Sequence, residues 1–429
     1  MIVLKQQISY TTFLYLIAFF LPISQKASTI CIGVLLLASI FNAVKIKPYL
    51  NLNLTFPALL YLIYCISLLY STESQFIHVE QKASLFLFPA IFTLVKFTKV
   101  EFKSALKFFV LGCLTSLIIC ELFALYNSFD TTSLTFNSKT DDSVSFYNSL
   151  AEDKNLFFSY NFSFLHQTVY YAMYLVFAIV IMIHLKVFKN KQFQNLVIFF
   201  MILGVFQILN KASFLALFSI SLWYCFLFIK NKKKALITLI VLLITAITLF
   251  LINPRFQNFN KKTVVIDETS VLEKDFKKIK NTSPRNHNFR VMLWQSSIEI
   301  ILQNPIIGIG AGGSDKRLYE VFAVKRQWYD KAERHNVHNQ YLQILLDIGL
   351  VGFFFFVLCF FTFFKSLSGL KDTQLKFIST GFIIILLINF IFESVFERYS
   401  GISFFCFFFC GILSFYRKTY FKTPLNFFR

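Results

Sequence analysis

Apolar residues run through this chain in blocks of about twenty, rather than alternating with polar ones. A block of that length crosses the ~30 Å hydrocarbon core of a bilayer as one helix. The pattern predicts twelve membrane helices, over residues 8–24, 28–44, 54–70, 84–97, 104–126, 165–186, 193–209, 212–229, 235–252, 339–364, 376–393 and 400–416. Segment 84–97 is the shortest and is open to a re-entrant reading. Two connections break the rhythm. Residues 127–164 are polar, and residues 253–338 are longer still. Loops of that size in a compact protein are functional or disordered. The expected organisation is helices 1–5 over 1–126, a polar loop over 127–164 and helices 6–9 over 165–252. A large loop then covers 253–338, and helices 10–12 with a tail cover 339–429.

Composition agrees with an all-α, polytopic membrane protein. The 429 residues are 56% hydrophobic and 15% charged, and Phe alone fills 59 positions. Soluble domains carry roughly 25% charged residues. Charge placement then orients the helices. With a cytoplasmic N-terminus, the short inner segments hold twenty Lys and Arg, among them Lys96, Lys99, Lys186, Lys189, Lys365 and Lys371. The short outer loops hold only Lys26, Lys82, Lys211 and Arg398. Excess Lys and Arg in short loops marks the cytoplasmic side, so both termini are expected inside and both long loops outside. The net charge of +20 therefore calls for no nucleic acid partner. The first block is expected to stay as a helix, because "LPISQKAS" offers no small-x-small cleavage site. All eight cysteines fall inside predicted spans, where they read as small buried apolar residues rather than disulfides or metal ligands.

The large loop divides. Residues 253–289 are Lys- and Asn-rich, with little periodicity. In "RVMLWQSSIEIILQ", residues 290–303, Val291, Trp294, Ile298 and Ile301 recur at helical spacing, with Gln295, Ser296, Glu299 and Gln303 opposite. This predicts an amphipathic helix lying at the outer interface, with Trp294 near headgroup depth. Asn304-Pro305 ends it, since the residue before a proline avoids helical dihedrals. Next comes "GIGAGG", in which Gly308, Gly310 and Gly313 spell G-x-G-x-x-G. A dinucleotide turn with that spacing needs a strand before it and a βαβ unit around it. Here an amphipathic helix and a proline precede it, on the wrong side of the membrane. The glycines are instead expected to permit tight turning and to present amides that could cradle an anion.

Candidate chemistry gathers on the same side. His335 and His338 are spaced i, i+3, with Glu333 the nearest further ligand type, and two ligands are too few for a metal site. His338 reads either as a polar anchor or as a general base. Arg290 reads as a snorkelling side chain or as a phosphate clamp, whose guanidinium matches phosphate oxygens bidentately. Lys211, in the short outer turn "LNKAS", runs against the charge bias and has an anion as its expected partner. Glu393, Glu397 and Arg398 sit at the outer end of the eleventh span, where they either orient a His or Arg or terminate the helix. Asp347 and Glu121 lie within spans and are expected to pair inside the bundle. Two cations and one titratable base suit a diphosphate leaving group and a hydroxyl acceptor. No D-x-D occurs, so fixed cations rather than a metal are expected to serve the donor, and no cofactor is expected.

The combined pattern resembles the O-antigen ligase and O-antigen polymerase family. It consists of R-x-x-x-W at Arg290 and Trp294, and N-P-x-x-G-x-G at Asn304-Pro305, Gly308 and Gly310. H-N-x-Y-L-x-x-L-x-x-x-G-x-x-G follows at His338, Asn339, Tyr341, Leu342, Leu345, Gly349 and Gly352. "NKAS" stands where relatives carry Ser-Arg/Lys-Ala/Gly, and a Glu393–Gly401 block also matches. The resemblance covers about residues 200–400. It implies a GT-C type membrane glycosyltransferase of about twelve helices in the bacterial inner membrane, with a periplasmic active site. The implied donor is a glycan on undecaprenyl diphosphate, and the implied acceptor is a sugar hydroxyl of lipid A core, or the next lipid-linked repeat in a polymerase. Implied catalytic residues are His338, Arg290 and Lys211. Trp294, Gly308, Gly310, His335, Asn339, Glu393, Glu397 and Arg398 are implied substrate contacts. Lys at position 211 acts as a point charge where Arg would bind bidentately. A transporter or flippase would instead show internal repeats and charges near the bilayer midplane, which this chain does not.

Overall fold

The computed structural model describes residues 2–43, 52–71, 76–131, 134–151, 154–228, 287–326 and 336–415, with positions 233, 236, 237 and 240. The N-terminal third contains α1 (Ile2–Phe20), α2 (Gln25–Ala43), α3 (Leu52–Ser67), the short α4 (Ile77–Glu80), α5 (Ser84–Leu94) and α6 (Lys99–Ser128). After a polar segment come α9 (Thr168–His184), α10 (Lys191–Ile208) and α11 (Lys211–Phe228). The motif-bearing region holds α12 (His287–Gln303), α13 (Ser314–Arg326) and α14 (Gln340–Ser368). Helix α15 (Thr373–Phe392), a 3₁₀ turn (Val395–Glu397) and α16 (Tyr399–Leu413) complete the described chain. Eleven of the twelve expected spans coincide with a helix; the other, 235–252, lies largely outside the described residues. Four of these helices are long and apolar enough to cross a membrane, and shorter apolar helices accompany them. These are the features of a helical membrane protein.

Segment 84–97 passes from one end of the bundle to the other. Ser84 Oγ meets Ser403 Oγ at 2.9 Å, and Phe92 packs on Phe407, so α5 runs alongside α16. Helix α5 has only 11 residues, but an extended Val95 continues it toward Thr98, also extended. Thr98 then starts α6 through a capping box, accepting from Glu101 N–H at 3.2 Å while the Glu101 carboxylate accepts from Thr98 N–H at 2.6 Å.

Side-chain bonds define two ends. At one, Gln25 Nε2 donates to Ser400 Oγ (2.9 Å), Lys82 pairs with Glu397 (2.8 Å), and His338 meets Glu393 (3.1 Å). At the other, Lys103 pairs with Asp372 (2.8 Å) and Gln374 Nε2 donates to His184 O (3.0 Å). Lys26, Lys82, Lys211 and Arg398 belong to the first end. The lysine-rich turns around Lys96, Lys186 and Lys371 belong to the second. The division anticipated from charge is therefore a division of the fold. Aromatic rings fill the middle: Phe177, Phe382, Phe404, Phe408 and Phe109 interlock, with Phe177 and Phe408 centroids 4.8 Å apart in an edge-on arrangement. Lipid is as apolar as these rings, so close fit rather than escape from water holds such helices together.

The all-α expectation needs correction at residues 127–164. Phe129–Asp130 pairs antiparallel with Thr135–Phe136, and two short helices follow, α7 (Phe146–Ala151) and α8 (Ser159–Phe162). Lys154 pairs with Asp141 at 2.8 Å, and Asn155 Nδ2 donates to Ser149 Oγ at 3.1 Å. Polarity of this segment reflects a folded cap whose local hydrogen bonds replace a membrane core.

Candidate functional site

The glycine stretch explains itself against α14. That helix is broken: Ile348 is non-helical, and Gly349 has φ +61° and ψ −162°. A break orphans the carbonyls of 346 and 347 and the amides of 350 and 351, which would pair with each other in a continuous helix. The loop from 305 to 310 supplies all four partners. Ile309 N–H donates to Leu346 O (3.0 Å) and Gly310 N–H to Asp347 O (2.9 Å). Leu350 N–H donates to Pro305 O (2.8 Å) and Val351 N–H to Ile306 O (3.1 Å). The end of α3 and the turn after it grip the same loop, with Tyr70 Oη donating to Ile307 O (2.6 Å) and Ser67 Oγ accepting from Ala311 N–H (3.0 Å). Backbone approaches so close that a Cβ on Gly308 would lie 2.6 Å from the Asp347 carbonyl carbon, and one on Gly349 would collide with the Ile306 carbonyl. Gly308 and Gly310 also have φ of +71° and +86°. The expected anion cradle meets a different fact: the amides from Gly308 to Ala311 already donate within the protein, Gly308 to Asn304 O at 3.1 Å.

Helix α12 starts earlier than expected and turns a partly different face inward. Leu293, Ser296, Ser297 and Ile300 are buried, packing with Leu318, Val337 and Leu346 in a small second core. Of the apolar stripe placed by periodicity, Trp294 and Ile301 pack against this core, while Val291 and Ile298 are exposed with Leu302. Both faces are apolar, so periodicity alone did not choose between them. Trp294 Nε1 donates to Val337 O at 3.1 Å and ties α12 to the residue beside His338. Helix α13, which periodicity did not foresee, closes this core through Leu318.

His338 stands at φ +51°, a conformation that costs a non-glycine residue about 1–3 kcal/mol and needs support. Asn336 Oδ1 accepts from its N–H at 3.0 Å. Its Nδ1 lies 3.1 Å and 3.2 Å from the two oxygens of Glu393, which caps the end of α15. The side chain of His338 is 26% exposed and that of Glu393 only 9%. Burial alone would raise the Glu393 carboxyl. The hydrogen bond and charge of His338, the charge of Arg290 and the Ser394 amide outweigh it, and the group sits below its ordinary value. Arg290 is thus electrostatically part of this cluster. Near neutral pH Glu393 is ionised and can only accept, so Nδ1 is the donor and a neutral imidazole carries its lone pair on Nε2.

The remaining candidates take other places. Asn339 is the N-cap of α14: its Oδ1 accepts from Tyr341 N–H (3.0 Å) and Leu342 N–H (3.1 Å), and its Nδ2 donates to Ile391 O (3.2 Å). Glu397, expected near substrate, is instead paired with buried Lys82. Arg398 is exposed at the start of α16. His335 lies outside the described residues. Asp347 is buried within α14 and accepts from Gln343 Nε2 at 3.0 Å. Lys211 is exposed in the first turn of α11. Asn210 caps that helix, its Oδ1 accepting from Ser213 N–H at 3.0 Å, a bond that Ser would also make. Trp223 packs on Phe377, so α11 and α15 are antiparallel, and Lys211 lies toward the end of the bundle that carries Glu393. A cavity of about 480 Å³ also opens at this end, lined by Gln25, Asn161, His166 and Gln167 among others, but the His338–Glu393 pair does not line it. Lys82 and Gln343 carried no role in the sequence. The signal for Lys82 was present, since it is an outer-loop cation against the charge bias, as Lys211 is.

Residues 196–357, which carry Lys211, Arg290, Trp294, the glycine loop and His338, match the family described as O-Antigen ligase. An uncharacterized protein of Haemophilus influenzae is 30% identical over 134 residues, a stretch covering 30% of this chain and 32% of that protein. The chain thus matches about a third of that relative's length. The match over 196–357 supports assigning the chain to the O-antigen ligase/polymerase family.

Proposed function

We propose that this member of the O-antigen ligase/polymerase family is an O-antigen ligase. It transfers a glycan from undecaprenyl diphosphate to a sugar hydroxyl of lipid A core at the periplasmic face of the inner membrane. The observation that carries the reading is the His338–Glu393 pair at 3.1 Å with Arg290 beside it. Glu393 holds Nδ1–H and stabilises the imidazolium, as a buried carboxylate does for other histidine bases. Nε2 takes the proton of the acceptor hydroxyl while its oxygen attacks the anomeric carbon. The bond from that carbon to the diphosphate oxygen breaks with inversion, and its electron pair leaves with undecaprenyl diphosphate. Arg290 and Lys211 balance the charge that develops there, and the N-terminus of α11 adds its partial positive charge to Lys211. No step requires a nucleotide or a metal ion.

The test is a lipopolysaccharide blot with His338→Ala and Arg290→Ala at matched protein level. Loss of the long-chain ladder, with polymer left on the lipid carrier and bare core, supports the ligase. Core carrying one repeat unit points to the polymerase reaction instead, and an unchanged ladder sinks both.

A further inference from the structure

Glu393 and Glu397 lie four residues apart on the stretch joining α15 to α16, and both point inward, at 7% exposure and a side-chain exposure of 10%. His338 is the histidine that this stretch holds, through Glu393. Glu397 is held by Lys82, which comes from the connection between α4 and α5. Lys82 is 1% exposed. Its Nζ lies 2.8 Å from both Glu397 oxygens, donates to His78 O at 3.3 Å and sits 5.0 Å above the Tyr64 ring. Acidic groups and a ring surround it. The acids are Glu397 on the 3₁₀ turn, Asp347 on α14 and Asp315 on α13, while Tyr64 on α3 supplies its ring. Burial acts to lower the ammonium; the three carboxylates outweigh it and hold it above its ordinary value. The ammonium is therefore a cation among several acids in a water-poor place.

We propose that Lys82 is a positioning residue: by engaging Glu397 it leaves Glu393 as the sole carboxylate of His338. The inference rests on the general-base reading of His338. Remove the ammonium, and Glu397 is a buried charge facing Asp347 without a counter-ion, which is costly. Beyond its own stretch stand His338, which Glu393 holds, and Arg290, whose charge reaches Glu393. Swinging toward them brings its carboxylate to the ring alongside Glu393. It also moves Ser394, whose Oγ accepts from Asn339 N–H at 3.2 Å directly beside the histidine. A second carboxylate on the ring stabilises the imidazolium. The base is then protonated at higher pH, and the acid limb of the rate profile rises. Taking the charge off Glu397 as well removes the drive for that movement.

The experiment uses the full chain purified into lipid nanodiscs, with lipid-linked glycan and core acceptor extracted from the source cells. Lys82→Met is expected to lower kcat by at least about thirty-fold with donor KM within about threefold, and to move the acid limb upward. Lys82→Met/Glu397→Gln is expected to recover kcat to within about fivefold of wild type, with the limb restored. A folded Lys82→Met protein with wild-type kcat and limb overturns the proposal. So does a folded double variant that stays inactive, because the ammonium itself would then be needed. If Lys82→Met does not accumulate, the double variant decides alone by the same criteria. Glu393→Gln and His338→Ala are run beside them. Wild-type rates in those two would remove the general-base reading itself, whatever Lys82 does.

Discussion

In the loop after α12, the amides of Gly308, Ile309, Gly310 and Ala311 all end on acceptors within the protein, while thirty residues on His338 keeps a quarter of its side chain exposed. The two stretches meet through α14 and have opposite designs. The glycine loop spends its polar groups on the break at Gly349, so it sets where α14 breaks and how its two halves are aimed. The His338–Glu393 pair uses one buried carboxylate to hold a ring that stays partly exposed. The first is a frame, made of backbone; the second is a site, made of side chains. Motif residues of both kinds sit in one family pattern, so a shared pattern does not imply a shared role.

Substitutions separate frame from site. The largest expected effect is His338→Ala, which should lower transfer by about 10²–10⁴-fold, the usual worth of a general base, a far larger change than its effect on folded yield. Steady-state transfer and folded yield of the same preparation check both halves. Gly349→Ala should do the reverse. Its φ of +61° and the Ile306 carbonyl should destabilise the fold by about 3 kcal/mol, while whatever folds keeps the rate of wild type per molecule. Folded yield and activity per folded molecule measure this, and a stable but slow variant would merge the two designs. Asn210→Ala removes the cap of α11 and should cost about 1 kcal/mol, read as a lower melting temperature. The last effect is a slope rather than a step. Glu393 has a depressed value in the folded state, so its stabilising contribution is present above the ordinary carboxylate range and fades as pH falls through the lower folded value. Glu393→Gln should therefore flatten the fall of melting temperature in acid, and an unchanged acid slope would place the pair's energy elsewhere.

Much of the frame was legible because membrane-length blocks and short-loop lysines carry their own physics. Eleven segments became helices where hydropathy placed them, and the cations fell at the two ends that charge bias assigned. Segment 127–164 was legible only as polar, since a two-residue hairpin and one-turn helices leave no period to detect. The face of α12 is only half legible, for a different reason. Outward and inward faces are both apolar in a membrane protein, so hydrophobicity does not separate them. The buried Ser296 and Ser297 were the better guide, because small residues let helices close.

What the sequence by itself determined is the set of elements and the chemistry on offer: helices of membrane length, a basic end and an opposite one, and a histidine with nearby arginine and glutamates. Those follow from local composition and from charge counted along the chain. Tertiary structure alone decided the pairings. It gave Glu393 to His338 and Glu397 to Lys82, although the two glutamates are neighbours in one motif and Lys82 lies more than three hundred residues from its partner. It also turned glycines that spell a nucleotide fingerprint into the strap across a broken helix. Pairing is a property of distance in space, and a water-poor interior forces each buried charge and each orphaned amide to find its partner wherever the fold brings one.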